Sequence, residues 1–490
     1  MLTVFFVVLF LGYLLIILIS LIPYITKPVV IFFFVANAIV LYFIDTYNII
    51  IDKTMMGHVL NTDPEEAVNL YSNKIISYVV ILGLLPSIFI AKIEIVRNFS
   101  FKKTAIFILT PLLLLAPFLY INSKTWLWLD KNLRILGALS MPFCYTVNAA
   151  RYQIPRWTVN QKEYPLPPGE FMHDNNVIVV LVIGEAARSA NFSLFGYERQ
   201  TNPRLENINN IIPFFNATSC ATYTTAGIRC ILSHLGSKSS FVGRNYEYLP
   251  SYLKRNDVKT IWRSNNFGEP DINVHLYQKR SDIRSLCPDG DCLDNSLDSI
   301  LLCNLKNMIQ ENLENNLFIV LHQSGSHGPA YYRKYPLEFE QFSPVCKSVE
   351  LRNCSQQDLI NAYDNTILYT DYFLSRIIDI LKEFHGTPAV MLYISDHGQS
   401  LGENNIYLHG MPNFLAPDVQ RQIPFIAWLS DEFIALYDID VKSLAMDPSY
   451  SQDNIFHSVM GAFGLRSSFY NEILDIFKPN PTCERAGNRK

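Results

Sequence analysis

Residues 2 to 22 carry no charged side chain and form an apolar run long enough to cross a bilayer core of roughly 30 Å as a helix. Comparable runs recur at about 28 to 45, 75 to 96 and 104 to 121, so the pattern predicts four spans within residues 1 to 122. A cleaved signal peptide fits less well, because no basic segment precedes the first run and no small-residue cleavage site follows it. Lys27 in one connection, and Arg97, Lys102 and Lys103 in another, put both connections on the cytoplasmic side. The loop 46 to 74 and everything after the fourth span then face outward. That arrangement also leaves Met1 outside with almost no tail, an awkward start for a first helix.

From 123 to 170 the pattern mixes aromatic and charged residues. Trp126, Trp128 and Tyr152 suit the headgroup level, so short interfacial helices are expected there, with an ordinary linker as the plainer alternative. The proline-rich EYPLPPGE, 163 to 170, marks the boundary of the next region. Beyond it the pattern changes to buried strands separated by helical stretches. VIVVLVIG (177 to 184), LFIVLH (317 to 322) and AVMLYIS (389 to 395) are continuous apolar runs, as expected of parallel strands covered on both faces. The stretch 357 to 384 has a helical apolar stripe through Leu359, Ala362 and Tyr363. The expected fold is a helical transmembrane region followed by an α/β sandwich over 171 to 490.

Composition sharpens this in two ways. A hydrophobic fraction of 49% and a mean hydropathy of +0.13 are high for a soluble protein, and the apolarity is concentrated at the N-terminus, which favours a membrane protein. A net charge of -4 with acids and bases interspersed gives no basic footprint for nucleic acid. Six of the nine cysteines fall into close pairs, Cys220 with Cys230, Cys287 with Cys292 and Cys346 with Cys354. They read as disulfide staples in an oxidising compartment, or else as metal ligands. Cys144, Cys303 and Cys483 are left unassigned.

In open α/β sheets the site lies beyond the carboxyl ends of the strands. Glu185, His322, His327, Asp396, His397 and His409 all follow strand ends here. Taken singly, Asp396 reads as a capped strand end. Taken together, carboxylates and imidazoles make a set suited to zinc. A nucleophile is sought in SCATYTTAGIRC, 219 to 230, whose hydroxyls are Thr222, Thr224 and Thr225. A threonine becomes a competent acceptor when a metal or base lowers its pKa, whereas turn hydrogen bonds account for most such residues.

VIGEAARSANFSLFGYERQTNP (183 to 203), SCATYTTAGIRC, LHQSGSHGPAYYRKYP (321 to 336), VCKSVELRNCS (345 to 355), NAYDNTILYTDYFLSRII (361 to 378), SDHGQSLGENNIYLHG (395 to 410) and the outer loop HVLNTDPEEA (58 to 67) resemble the membrane phosphoethanolamine transferases. These belong to the alkaline phosphatase and sulfatase superfamily and include the enzymes behind mobile colistin resistance. The resemblance implies a catalytic zinc on Glu185, Thr224, Asp396 and His397, with Thr224 as the phosphoethanolamine acceptor. It implies a second zinc or the substrate phosphate on His327 and His409, which could also protonate the leaving group, with His322 close by. Thr62 and Glu66 would contact the ethanolamine group. The donor would be phosphatidylethanolamine and the acceptor lipid A or another part of lipopolysaccharide. The implied setting is a monomer, multi-pass in the bacterial inner membrane, with its catalytic domain in the periplasm.

Three departures stand out. His58 replaces a usual asparagine. After Trp262, Arg263 and Ser264 the chain reads NNFGEPD, with Phe267 and Pro270 where a serine and a lysine are expected. The family also has five spans, the first of these four aligning with its second, so an earlier helix is expected upstream of this start. Rival readings are the same chemistry on Kdo or a core heptose, a membrane-bound phosphodiesterase or polyglycerolphosphate-type synthase, and a scaffold that kept the fold. A sulfatase nucleophile is not seen, since no cysteine lies in a Cys-x-Pro-x-Arg context. A scaffold predicts an eroded ligand set, and every position is filled.

Overall fold

The computed structural model describes residues 2–22, 24–62, 67–68, 70–95, 101–121, 123–158, 163–241, 245–287, 296–444 and 450–478. It divides into two units, one formed by Met1–Leu60 with Tyr71–Thr158 and the other by Asn61–Leu70 with Val159–Lys490.

The first unit is helical. Its elements are α1 (Leu2–Ser20), α2 (Thr26–Tyr47), α3 (Lys53–Asn61, whose last residue falls in the second unit), α4 (Asn73–Lys92), α5 (Phe101–Ile121), α6 (Ser123–Leu139) and α7 (Phe143–Thr158). All four apolar runs are therefore helices. Among the described residues, α2 and α4 are long and apolar enough to cross a membrane, and Phe5–Ser20 within α1 is a shorter apolar helix. Lys27, used above as an orientation signal, also donates from Nζ to the carbonyl of Ala91 at 2.8 Å. A cation on the last carbonyls of α4 complements the negative end of that helix. Helices α6 and α7 occupy the stretch expected to hold interfacial helices.

The second unit is built on strands β1 (Ile178–Gly184), β2 (Ile211–Pro213), β3 (Lys259–Ser264), β4 (Leu276–Lys279), β5 (Leu317–His322), β6 (Ala389–Ser395) and β7 (Phe425–Leu429). They form one sheet of order β2-β7-β6-β1-β5-β3-β4. The five strands β6, β1, β5, β3 and β4 run parallel, and β7 is antiparallel to both its neighbours. Every residue of β1, β5 and β6 is buried, which is why these strands read as unbroken apolar runs. Each Val, Leu or Ile so removed from water contributes roughly 1.5–3 kcal/mol, and a one-residue slip would turn every side chain to the other face. The register is thereby held, with Gly184 opposite Ser395 and Ile183 opposite His322. The residues that follow β1 and β6 are consequently brought to the same edge.

Three helices then matter for the site: α8 (Thr224–Leu232), α9 (Gln356–Lys382) and α10 (Asp453–Ala462). Ser355 caps α9 by accepting from the Asp358 amide at 3.0 Å, with Asp358 in the first turn and Lys382 in the last. That pattern suits both helix ends. The buried Tyr363 of α9 donates its hydroxyl to the Ala186 carbonyl at 2.8 Å and accepts from the Arg188 amide at 3.0 Å, fixing the turn after β1.

Disulfides join Cys220 to Cys230 and Cys346 to Cys354. The expected Cys287–Cys292 pair is corrected: Cys287 bonds to Cys303, and Cys292 lies outside the described residues, as does Cys483. Nearness in sequence was the wrong guide. The turn Asp298–Leu302 packs on the helix Arg280–Leu286, and buried Arg263 donates to the carbonyls of Leu301 and Cys303, which brings Cys303 to Cys287. Cys144 is a buried free thiol.

Candidate active site

Glu185 follows β1, Asp396 and His397 follow β6, and Thr224 opens α8; all four are buried. Their polar atoms converge. His397 Nε2 lies 3.2 Å from Glu185 Oε1, 3.3 Å from Asp396 Oδ2 and 3.4 Å from Thr224 Oγ1. The Thr224 hydroxyl donates to Glu185 Oε2 at 3.1 Å.

The tautomer follows from a backbone contact. His397 Nδ1 faces the Gly398 carbonyl at 2.9 Å, and a carbonyl only accepts, so Nδ1 carries the hydrogen and a neutral ring presents its Nε2 lone pair to the carboxylates. Glu185 Oε1 and Asp396 Oδ2 are buried yet receive no hydrogen bond from the described residues. Orphaned carboxylate oxygens are costly unless a cation joins them. Ligands at about 2.0–2.2 Å from a tetrahedral zinc ion stand about 3.3 Å from one another. The spacings around His397 match that value, so this donor set fits zinc.

Electrostatics agree. Burial and the neighbouring charge of Glu185 push Asp396 up to about 7. Burial would lower His397, but Asp396 and Glu185 outweigh it and raise the ring to about 9. Burial likewise opposes ionisation of Glu185, yet His397, with His327 and His409 behind it, holds that carboxyl well below the usual range. Positive charge is what the two carboxylates lack.

Backbone close approach sets these positions. A Cβ at Gly227 of α8 would stand 2.3 Å from the Asp396 carbonyl, so glycine lets the helix that Thr224 opens sit directly against that strand end. Gly325, at φ +47°, does the same beside Glu185. Ala186 and Leu408 also adopt positive φ, +53° and +65°. The first turns its amide to Asp396 Oδ1 at 3.1 Å, and the second delivers His409. Gln452, at the start of α10, ties the parts together: its Oε1 accepts from the Cys220 amide at 3.0 Å while its Nε2 donates to the carbonyls of Ser395 and Asp396 at 3.0 and 2.7 Å.

The histidines divide. The His409 ring lies tilted at 4.3 Å from that of His397 and edge-on at 5.1 Å from that of His327, and its Nδ1 lies 2.8 Å from Gln399 Oε1. His322 ends β5 instead, with Nδ1 at 3.0 Å from Glu269 Oε1. Of the three candidate hydroxyls, Thr222 donates to the Met411 carbonyl at 2.6 Å, a structural role, whereas Thr224 faces Glu185 and His397. Thr62 follows α3 and is half-buried; Glu66 lies outside the described residues. Sequence reasoning missed Asn266, Glu269, Gln399 and Gln452. Asn266 donates to both Glu185 Oε2 and the Gln323 carbonyl at 2.8 Å. The first two stand in the departing NNFGEPD loop, which was the available signal.

The chain matches a family model described as Sulfatase over residues 178–465 and one described as Phosphoethanolamine transferase EptA/EptB over residues 8–155. It is 41% identical over 451 residues to Phosphoethanolamine transferase EptA of Helicobacter pylori, covering 91% of this chain and 84% of that protein. It is 32% identical over 466 residues to Phosphatidylethanolamine transferase Mcr-1 of Escherichia coli, with 90% and 84% covered. Among solved structures, the integral membrane protein lipooligosaccharide phosphoethanolamine transferase A (EptA) from Neisseria meningitidis aligns with a TM-score of 0.86 at 28% identity, over 96% of this chain and 90% of that one.

Proposed function

This chain belongs to the phosphoethanolamine transferase EptA/EptB family, enzymes with a transmembrane N-terminal region and a sulfatase-like domain, and from that premise we propose how its site works. Thr224 takes phosphoethanolamine from phosphatidylethanolamine, releases diacylglycerol, and passes the group to a phosphate of lipid A. Glu185, Thr224, Asp396 and His397 would hold a zinc ion, which when bound supplies Lewis acidity and offsets charge building on the phosphoryl oxygens.

The chain's own groups do the rest. The threonine oxygen bonds to phosphorus as the bond from phosphorus to the glycerol oxygen breaks. Its proton already points at Glu185 Oε2, which Asn266 braces from the other side. His327 and His409 give the departing diacylglycerol oxygen its proton. In the second half the acceptor oxygen attacks the same phosphorus and the threonine oxygen leaves. Thr224 also opens α8, whose first amides lack intrahelical acceptors and favour the phosphoryl charge. Thr62 would contact the ethanolamine group. The N-terminal helices cross the bacterial inner membrane more than once and the catalytic domain, a monomer, stands in the periplasm. The three disulfides support an oxidising compartment.

The observation that carries this reading is the Thr224 hydroxyl held between Glu185 and His397. Incubating the purified chain with phosphatidylethanolamine should yield a phosphoethanolamine adduct on Thr224 by mass spectrometry, and Thr224→Ala should abolish both adduct and transfer while the protein stays folded. Substantial transfer by that variant would remove the nucleophile assignment. Lipopolysaccharide from cells with and without the intact chain should differ by one phosphoethanolamine on lipid A; a shift confined to Kdo or the core would move the acceptor there.

A further inference from the structure

The loop after β3 crosses the site and touches three of its parts. Asn266 holds Glu185. A Cβ at Gly268, where φ is +94°, would stand 3.0 Å from Thr225 Cγ2 and 3.7 Å from Thr224 Cγ2, so the turn lies against the nucleophile. Glu269, the next residue, has a side chain only 10% exposed and contacts His322 Nδ1 at 3.0 Å. Ser264 Oγ donates to the same carboxylate.

An ionised carboxylate only accepts, so His322 Nδ1 carries a hydrogen. The opposite nitrogen, Nε2, is fully buried and has no hydrogen-bond partner among the described residues. A buried polar atom of this kind is costly unless something meets it. The ring stands at the end of β5, opposite Ile183 of β1 and Ser264 of β3, at the same sheet edge as Glu185. Burial alone would make the imidazole harder to protonate. The hydrogen bond and charge of Glu269, with the more distant Glu185 and Asp396, override burial and raise its pKa above the ordinary value. Glu269 shifts in the matching direction: burial raises it, but His322 and Ser264 bring it below the usual range. When the ring is protonated the two form a buried ion pair, and the imidazolium then offers an N–H from Nε2.

We propose that Glu269 is a positioning residue for the transfer: it orients His322 so that the Nε2 hydrogen meets a non-bridging oxygen of the phosphoryl group on its way to Thr224. No proton changes hands in this role. The imidazolium answers charge on the phosphoryl oxygens, and the carboxylate keeps it charged and aimed. The inference rests on the phosphoethanolamine–threonine reading above and adds to it a part built from the loop that departs from the family pattern.

The test is single-turnover formation of the Thr224 adduct by the full-length chain in phosphatidylethanolamine-containing nanodiscs, followed by intact mass. Glu269→Gln should slow adduct formation roughly 10- to 100-fold, the size of effect seen when a histidine at a metal centre loses its carboxylate partner. Zinc content and melting temperature should stay as in the parent, and Glu269→Asp should recover much of the rate. In a His322→Asn background, Glu269→Gln should cost nothing further, since a residue acting through another has no effect once that other is gone. Losses that multiply in the double variant, or a Glu269→Gln protein as fast as the parent, would overturn the assignment. If the parent itself forms no adduct on Thr224, the transfer reading falls and this inference with it. If the parent forms adduct and Glu269→Gln is unaffected, the inference falls alone.

Discussion

The two sides of the site are built differently. Glu185, Asp396 and His397 stand at the ends of β1 and β6, which pair in register from Ile178 with Ala389 to Gly184 with Ser395. His327 and His409 stand on loops entered through Gly325 at φ +47° and Leu408 at φ +65°, and His409 is aimed by a side chain, Gln399, rather than by a strand. The three residues proposed to hold one ion follow directly on strands of the sheet. His327 and His409, proposed to meet the lipid substrate, stand on loops instead.

Asp396→Asn attacks the rigid side. It should strip zinc and lower transfer at least about a thousandfold, read by metal analysis alongside the adduct assay; a zinc-loaded, active variant would break the contrast outright. Gly227→Ala acts on the same side by geometry, because its Cβ must push α8 away from the Asp396 carbonyl. A loss of roughly a hundredfold with zinc retained is expected, as displacement of a nucleophile by about 1 Å has that cost. Gln399→Ala touches the loop side and should cost roughly tenfold, with zinc on the strand side undisturbed.

Acidity should also separate the sides. Zinc competes with protons on His397, raised to about 9, and on Asp396, raised to about 7. Affinity measured by competition with a chelator should fall about tenfold per pH unit from 9 to 7, where one proton must leave, and more steeply below 7, where two must. A flat profile would show that the buried trio does not hold the ion. The smallest effect on chemistry should come from replacing Cys287 and Cys303 by serine, expected to remove about 3 kcal/mol of stability, for a sequence separation of 16, and little of the transfer rate. Non-reducing peptide mapping should recover the Cys287–Cys303 link directly.

The rigid side was also the legible one. Parallel strands buried on both faces leave unbroken apolar runs, and the polar residue that ends each run is conspicuous; Glu185 and Asp396 could be located that way. The supporting residues leave no such trace. Asn266, Glu269 and Gln399 are single polar residues in loops, and only the folded backbone shows which atom each one meets. Cys303 was passed over for the same reason, since its neighbour is set by the packing of two short helices and not by spacing along the chain. The four apolar runs became helices as their pattern indicated, although two of them satisfy the length and hydropathy demanded of a span among the described residues.

Gln452 gives the site a place in time. It joins the Cys220 loop to the carbonyls of Ser395 and Asp396, and it follows all four proposed ligands in the chain. During synthesis from the N-terminus, all four donor residues are therefore available before the tether that braces two of their segments has been made. The Cys220 loop and the end of β6 are thus braced late, and a chain cut short before residue 452 would carry all four donor residues without this brace.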